Sequence, residues 1–286
     1  MQAFDRTQED IGNIVSLEHV NTRVPDQGLA TTFYVMGMGL TRDPYLVTGT
    51  ANMWINAGKT QFHLPTGGAQ VLNGHTGLVM PGRKALLERL KSVAKPLEGT
   101  AFQYKAAKGH VDVVCPWGNR FRVFEPSEQF GRLRLGIAYV EVDAPKGSAK
   151  AIARFYREIM ETAADTKGGA AHVSVGEGQT LIYRETKAEP PAYDGHHIAV
   201  YLANFSRPYN RLLERGLVTE ESDQHQYRFL DVIDLDNGEP LVRLEHEVRS
   251  MLHPLYGRVH TNRNPAQTNR MFSPSHEENA WAMPVA

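Results

Sequence analysis

Four segments, each predicted to begin a β-strand, carry an imidazole or phenol side chain at a similar place. The first segment, 17–25, contains His19, and the second contains His75. The third places Tyr139, and the fourth His197, at the corresponding point. Imidazole binds metal ions or exchanges protons near neutral pH, and a phenol donates a hydrogen bond or a proton. The way these four strand starts face one another therefore decides which chemistry the chain can perform.

The elements around these residues form an internal repeat. Alternating apolar residues predict strands, and apolar stripes at helical spacing predict helices over 27–36, 83–93 and 207–215, with a further helix ending at Met160. Each of four units, roughly 55 residues long, reads as strand, helix and three strands. One such unit has a bare sheet face, so units must pair. We expect units one and two to form one cavity, and units three and four a second.

The predicted fold class is α+β, with four βαβββ modules paired into two curved-sheet, half-barrel domains with helices outside. The polar connector 126–132 marks the boundary between them. The first paired-module domain is predicted over 14–127 and holds the candidate metal site. The second covers 133–249, and 250–286 is a C-terminal tail that either covers a domain or extends away from it.

Composition excludes several classes of protein. The formal net charge of −1 offers no electrostatic reason to expect nucleic acid or an anionic membrane as a partner. The single cysteine excludes an internal disulfide framework. No apolar run approaches the roughly 20 residues that span a bilayer, and no signal peptide is recognisable. Because the glycine-rich turns lack phosphate-loop spacing, no nucleotide site is expected. A cytoplasmic protein with a small-molecule partner is the expectation, and edge pairing of such sheets makes a homodimer reasonable.

The βαβββ order, a strand start of the Gly-His-Ile-Ala type and the turn Pro-Trp-Gly-Asn at 116–119 resemble the vicinal oxygen chelate superfamily. That group includes glyoxalase I, fosfomycin- and bleomycin-resistance proteins and extradiol ring-cleaving dioxygenases. The resemblance covers about 15–248, and its paired-module layout is most similar to the two-domain dioxygenases. It implies metal ligands in the first and last strands of paired modules.

Carried onto the first domain, the resemblance implies that His19 and His75 are metal ligands, with an acidic third ligand. The expected carboxylate position holds Arg122, and Glu125 lies three residues further on with the opposite strand parity. A bulge could turn Glu125 inward and complete His19, His75 and Glu125 as a two-histidine, one-carboxylate set, which suits Fe(II), with Mn(II) or Zn(II) as alternatives. Otherwise His63 is the third ligand, or Arg122 binds an anionic substrate in a metal-free cavity.

The second domain offers a different set. Tyr139 occupies the first-strand position, Tyr183 matches His63, and His197 matches the ligand histidine. Tyr139 and Tyr183 are candidates for acid–base chemistry or for substrate hydrogen bonds. His197 with Glu245 could alternatively hold a metal ion. Tyr139, His197 and Glu245 are therefore predicted as catalytic, and His63, Arg122 and Tyr183 as substrate-binding.

Three functions follow from these residues. The first is a divalent-metal enzyme, of the extradiol ring-cleaving dioxygenase type, that acts on a small oxygenated organic molecule. The second is a metal-free protein that sequesters a small ligand, as bleomycin-resistance proteins do. The third is a glyoxalase-like isomerase or lyase, which needs a metal but no O2.

Overall fold

The computed structural model describes residues 4–46 and 49–263. Its strands are β1 (Ile14–Asn21), β2 (Thr41–Arg42), β3 (Asn52–Ala57), β4 (Thr60–Pro65), β5 (Gly74–Val79), β6 (Gln103–Ala106), β7 (His110–Val114), β8 (Arg120–Phe124), β9 (Gly136–Pro145), β10 (Ala164–Thr166), β11 (Ala170–Ser174), β12 (Thr180–Thr186), β13 (His197–Leu202), β14 (Val218–Asp223), β15 (Gln226–Ile233) and β16 (Pro240–Ser250).

The α-helices are α1 (Gln27–Ala30), α2 (Arg83–Ser92), α3 (Ala149–Glu158) and α4 (Ser206–Leu213). The side chain of Asp26 caps α1 by accepting a hydrogen bond from the Leu29 N–H at 2.8 Å. The chain then continues as a π-helix over Thr31–Gly37, where the sequence predicted an ordinary helix. Short 3₁₀ turns lie at Arg6–Glu9 and Glu128–Phe130. Each predicted helix is therefore present, one of them with a wider hydrogen-bonding pattern.

The strands form two eight-stranded mixed sheets, as the predicted α+β fold of four βαβββ modules requires. One sheet has the order β14-β15-β16-β13-β1-β4-β3-β2, and the other β10-β11-β12-β9-β5-β8-β7-β6. The first sheet thus combines modules one and four, and the second combines modules two and three. This differs from the expected pairing of consecutive modules. Alternation within a module specifies which face is buried, whereas it does not specify which other module's first strand lies beside its own.

By the density of its contacts the chain divides into two compact units. One takes the chain up to Leu17 with Asp143–Glu189 and Ala199–Tyr256. The other takes Glu18–Val142, Pro190–Ile198 and the chain from Gly257 onward. Both are discontinuous, so this division differs from the domain boundaries expected at 126–132.

Each unit has its own apolar core. In the second unit an aromatic cluster joins Phe62 of β4 in the first sheet to Phe121 of β8 in the second, with ring centroids 5.7 Å apart. Phe33 and Tyr34, with centroids 4.8 Å apart, complete the cluster. In the first unit Phe155 and Tyr156 of α3 are fully buried. Such close-packed rings fix the strands that carry the polar side chains described below.

The C-terminal tail is described only as far as Arg263, and the rest of the predicted tail lies outside the described residues. Over 258–263 the chain makes hydrogen bonds to β2, β3 and the turn after β3. We call the segment 257–263 the C-terminal strap. Among the described helices, none is long and apolar enough to cross a membrane.

Candidate metal centre

Three histidines of the second unit come together in the first sheet. His19 lies in β1, His63 in β4 and His197 at the start of β13. One ligand nitrogen from each lies within 4.8 Å of the others, and His19 and His197 are buried while His63 is half-buried. These are the distances and the donor types of a site for a divalent metal ion.

Strand pairing explains why two of these side chains meet. The strands β1 and β4 run parallel, with His19 opposite Gln61 and Asn21 opposite His63. Residues that pair across strands, and residues two apart along them, share a face, so all four side chains project from the same side of the sheet. In the next strand Trp54 pairs with His63. Its indole stacks on the His63 ring with centroids 3.8 Å apart and meets the His19 ring edge-on at 5.0 Å.

A buried carboxylate orients His19. Its Nδ1 lies 2.5 Å from an oxygen of Glu18, and both side chains are almost completely excluded from solvent. An Nδ1–H that donates to the carboxylate leaves Nε2 with its lone pair exposed to the site. That Nε2 is buried and has no hydrogen-bond partner among the described residues. Carboxylate, histidine and a ligating nitrogen in this order form the arrangement in which proteins hold divalent ions.

Both ring nitrogens of His63 have hydrogen-bond partners, whereas a metal ligand needs one nitrogen free for the ion. Its Nδ1 lies 2.7 Å from the Asn21 amide nitrogen, and its Nε2 lies 2.7 Å from the Asn52 amide oxygen. With these amide orientations, the His63 Nδ1 accepts a hydrogen bond from Asn21 and its Nε2–H donates one to Asn52. Metal binding through His63 therefore requires one of the two amides to turn away, which is a side-chain rotation and leaves the backbone in place.

The donor set limits which ions fit. Three neutral imidazoles suit first-row divalent ions, including zinc and iron, and leave open positions for a substrate. No carboxylate belongs to the group of three, so an ion bound there would keep its full positive charge toward a substrate. The orphaned Nε2 of His19 and the spacing of the nitrogens fit such an ion.

His75 and Glu125, predicted as ligands with His19, are placed elsewhere. His75 lies in β5 of the second sheet, where its Nε2 is 3.0 Å from the Tyr139 hydroxyl and its Nδ1 is 3.8 Å from Glu141. Glu125 follows β8 and accepts a hydrogen bond from the Arg83 N–H at the start of α2, at 3.0 Å. No bulge turns Glu125 toward the histidines. The group of three contains His63 and His197 in place of His75 and Glu125, because β5 and β8 belong to the other sheet.

The predicted Arg122 and Tyr139 lie together on the second sheet. Both pair with Gly77 of β5, from β8 and β9 respectively. Burial raises the pKa of Tyr139 to about 12, while the nearby Arg122 charge opposes that rise. Burial lowers the pKa of His75 to about 4, against the Glu141 carboxylate, which raises it. At neutral pH the Tyr139 hydroxyl therefore keeps its proton and donates a hydrogen bond to a neutral His75. Arg122 is half-exposed and lies 3.5 Å from Asp112.

Tyr183 and Glu245 lie in the first unit and are engaged there. Tyr183 is fully buried, and its hydroxyl is 2.5 Å from that of Tyr156. Glu245 accepts a hydrogen bond from Arg228 at 2.7 Å. His197 was predicted as catalytic, with a metal-binding alternative in which Glu245 was its partner; the group of three pairs it with His19 and His63 instead.

Sequence reasoning missed Glu18 and Trp54. Glu18 precedes His19, so strict alternation assigns it to the opposite face, and only the folded side chain reaches back to the ring. Trp54 falls on the histidine face because β3 and β4 are antiparallel neighbours, a signal that was present in the turn at Gly58. His63 was named as an alternative third ligand, which the cluster supports.

No protein-family model matches the sequence, and no curated protein matches it either. Solved structures are similar in fold. Glyoxalase I from Zea mays has a TM-score of 0.57 at 14% sequence identity, over 82% of this chain and 92% of that one. A provisionally assigned dioxygenase from Bacillus subtilis has a TM-score of 0.55 at 16% identity, over 83% of this chain and 86% of that one. At these identities the likeness establishes the fold alone. The chain therefore has the fold of the vicinal oxygen chelate superfamily, as its repeated modules predicted.

Proposed function

We propose that this protein is a divalent-metal-dependent enzyme that acts on a small oxygenated organic molecule, with His19, His63 and His197 as the metal ligands. The observation that carries the proposal is the buried Nε2 of His19, which has no partner among the described residues and lies in a group of three histidine nitrogens within 4.8 Å of one another. Burying an unpaired polar atom costs free energy, so an atom left in this state indicates a missing partner.

When bound, a divalent ion would polarise substrate oxygens as a Lewis acid. Residues of the chain would orient the ligands and shape the substrate site. Glu18 accepts a hydrogen bond from the His19 Nδ1–H and so holds the ring in the tautomer that presents Nε2. Trp54 supplies an apolar wall beside His19 and His63, which favours a flat apolar substrate and excludes water from that side. Asn21 and Asn52 fix the plane of the His63 ring.

Within this class we propose extradiol-type ring cleavage, with Fe(II) as the metal. The fold shared with a provisionally assigned dioxygenase supports the proposal. The fold shared with glyoxalase I supports the alternative, a glyoxalase-like isomerase or lyase that uses a metal but no O2. Three imidazoles accept Zn(II) and Mn(II) as well as Fe(II), so the donor set does not choose between these reactions. A homodimer and a cytoplasmic location stay predictions.

The test is the metal content of the purified protein, measured by mass spectrometry after anaerobic loading with Fe(II), Mn(II) or Zn(II). We expect about one ion per chain in the wild type, and a loss in His19→Ala, His63→Ala and His197→Ala. His75→Ala is the matched control, because its ring lies on the other sheet, and we expect it to keep the ion. Oxygen consumption with a panel of catechols then separates the dioxygenase from the isomerase.

The metal-free alternative has its own support, since both ring nitrogens of His63 already have hydrogen-bond partners. In that case the three histidines and Trp54 would bind a small ligand directly, and the His19 Nε2 would accept a hydrogen bond from it. A wild-type protein that acquires none of the three ions would favour this binding function and would overturn the metal-dependent one. An ion retained by all three histidine variants would place the metal elsewhere.

A further inference from the structure

The C-terminal strap is fastened by an ion pair at its beginning. Arg258 donates to both carboxylate oxygens of Asp43, at 2.7 and 3.3 Å. The Asp43 side chain is fully buried, and its carboxylate also accepts from the Tyr45 and Leu46 N–H groups at 2.8 Å each. Burial would raise the pKa of Asp43, but these hydrogen bonds and the arginine charge together lower it to about 2. A two-pronged contact to a buried carboxylate fixes the position of the Arg258 side chain and also neutralises its charge.

The other end of the strap pairs with the turn after β3. Asn262 accepts from the Gly58 N–H at 3.0 Å and donates to the Gly58 carbonyl at 2.9 Å, which imitates a strand pair. Between the two anchors, the Thr261 carbonyl accepts from the Asn56 side chain at 2.9 Å. The strap is therefore held at three places against the first sheet's β2–β3 edge, within the second compact unit.

The side chain of Asn56, which the strap contacts, projects from the same face of the sheet as His19. Asn56 pairs with Gln61, and Gln61 pairs with His19, so the three residues form one row across β3, β4 and β1. The row is linked by hydrogen bonds, because Gln61 donates to Asn56 at 2.6 Å and to Asp43 at 3.2 Å. All of these side chains are buried. The strap thus covers the sheet face on which His19 lies.

His260 is the strap residue that this arrangement buries without a full set of partners. It is 4% exposed, and its Nδ1 has no hydrogen-bond partner among the described residues. Burial and the Arg258 charge lower its pKa, and the Glu18 and Asp43 carboxylates raise it. Glu18, the carboxylate that orients His19, is therefore within electrostatic range of the His260 ring.

We propose that the C-terminal strap is a working part of the His19 site, and that His260 is a positioning residue that holds the Glu18–His19 pair. The inference rests on the proposed function, in which His19 presents Nε2 to a metal ion. In this role the strap, which covers the sheet face on which His19 lies, keeps water from the Glu18 carboxylate, and His260 supplies a buried polar ring within range of the Glu18 charge. A carboxylate kept dry holds the His19 Nδ1–H more strongly, since the competing water is removed.

The experiment compares wild type with His260→Ala, His260→Gln and Asn262→Ala in the full chain. His225→Ala, in the turn between β14 and β15 of the other unit, is the matched control. Two quantities are measured: the Kd for Zn(II) by calorimetry, and the imidazole ¹⁵N shifts of His19 in the metal-free protein, assigned by their loss in His19→Gln. Changes to residues that hold a ligating histidine typically weaken metal binding by about 10–100-fold.

We expect His260→Ala to weaken Zn(II) binding within that range and to shift the His19 resonances toward a mixture of tautomers. His260→Gln, which keeps a polar group, should recover part of both effects, and His225→Ala should change neither. Asn262→Ala loosens the strap and keeps the His260 side chain, although it also removes the 3.3 Å hydrogen bond to the His260 carbonyl, and it serves if His260→Ala does not fold.

Two results separate the inference from the proposed function. Zn(II) bound equally by wild type and all strap variants, with unchanged His19 resonances, would overturn the strap's role and leave the metal site standing. Absence of Zn(II) binding in wild type would overturn the proposed function. The tautomer of His19 would then decide alone whether the strap positions this pair.

Discussion

The Nδ1 of His19 lies 2.5 Å from a carboxylate oxygen of Glu18, the residue directly before it in β1. Consecutive residues of a regular strand point to opposite faces, so this contact requires the Glu18 side chain to fold back. The contact therefore holds His19 in one tautomer, in which the lone pair of Nε2 is available. The same contact fixes the orientation of the ring, which a metal ligand requires.

The first prediction concerns Glu18. In Glu18→Gln the side chain keeps its size and one hydrogen-bonding oxygen but loses its charge. We expect Zn(II) affinity to fall by about 10–100-fold, because the amide supports the Nδ1–H less strongly and admits the other tautomer. Calorimetric titration gives the Kd. Glu141→Gln, beside His75 on the other sheet, is the control and should leave the affinity unchanged. Equal affinity in Glu18→Gln and wild type would contradict the role given to Glu18.

The second prediction uses Trp54 as a reporter. Its indole is buried and lies 3.8 Å from the His63 ring and 5.0 Å from the His19 ring, measured between centroids. A paramagnetic ion such as Cu(II) or Co(II) at the three histidines should quench its fluorescence in proportion to occupancy. Trp54→Phe should abolish the response, and Trp117→Phe, in the turn between β7 and β8, should preserve it. Quenching that survives in Trp54→Phe would show that the ion binds elsewhere.

The sequence was sufficient for the modules and insufficient for their pairing. The strand predicted at 120–124 matches β8 at both ends, and His19 and His63 lie in the strands expected for them. The strand order depends on which first strands lie side by side, and each module's apolar pattern fits either neighbour. His75 therefore carried the expected residue type in the expected strand, but the topology placed β5 beside β9, away from β1. A short edge strand, β14, also escaped prediction because its residues are almost all polar and exposed.

The third prediction concerns Gly77, which lies beneath the Tyr139 ring. A Cβ at this position would come within 2.0 Å of a Tyr139 ring carbon, so Gly77→Ala must displace the ring. We expect a loss of about 1–3 kcal/mol in the free energy of unfolding, the usual cost of overpacking. Urea titration measures it. Gly68→Ala is the matched control, since nothing lies within 4 Å of its added Cβ and it should cost little.

A double variant tests the cause of that loss. Tyr139→Ala removes the obstacle, so adding Gly77→Ala to it should cost much less than in wild type. Additive losses would mean that the glycine is needed for another reason. The same variants report on the His75–Tyr139 hydrogen bond, because Tyr139→Ala leaves the His75 Nε2 without its hydroxyl partner.

The fourth prediction concerns a chain of hydrogen bonds buried in the first unit. The His246 Nδ1–H donates to the Leu244 carbonyl at 2.6 Å, so its Nε2 accepts from the Tyr156 hydroxyl at 2.6 Å. Tyr156 in turn accepts from the Tyr183 hydroxyl at 2.5 Å. Tyr156→Phe leaves two buried groups, the His246 Nε2 and the Tyr183 hydroxyl, without their hydrogen-bond partner, at a cost of about 1–3 kcal/mol each in the free energy of unfolding. Tyr183→Phe leaves no group unpaired, because Tyr156 still donates to His246.

We therefore expect Tyr156→Phe to lower the free energy of unfolding at least twice as much as Tyr183→Phe. Urea titration of the two variants makes the comparison, and Tyr209→Phe, whose exposed hydroxyl meets Glu221, is the control with little expected change. Equal losses from Tyr156→Phe and Tyr183→Phe would mean that the order of donors along the chain is different.

The fifth prediction concerns pH. Burial lowers the pKa of His246 to about 3, against the Leu244 hydrogen bond, which raises it. Below about pH 6.5 the unfolded chain binds a proton at this residue while the folded protein does not. The free energy of unfolding should therefore fall as the pH drops from about 6.5 toward 3, by up to about 1.4 kcal/mol per pH unit for this residue.

His246→Gln removes the titrating ring and keeps an amide that can accept from Tyr156 and donate to Leu244. We expect its free energy of unfolding to be lower than that of wild type at pH 7, because the stacked contact with Phe229, at 4.3 Å between centroids, is lost. Between pH 6.5 and 4.5 its slope should be shallower by about one bound proton. Parallel slopes for the two proteins would contradict a folded His246 that stays neutral, and would assign the acid sensitivity to other groups such as His75.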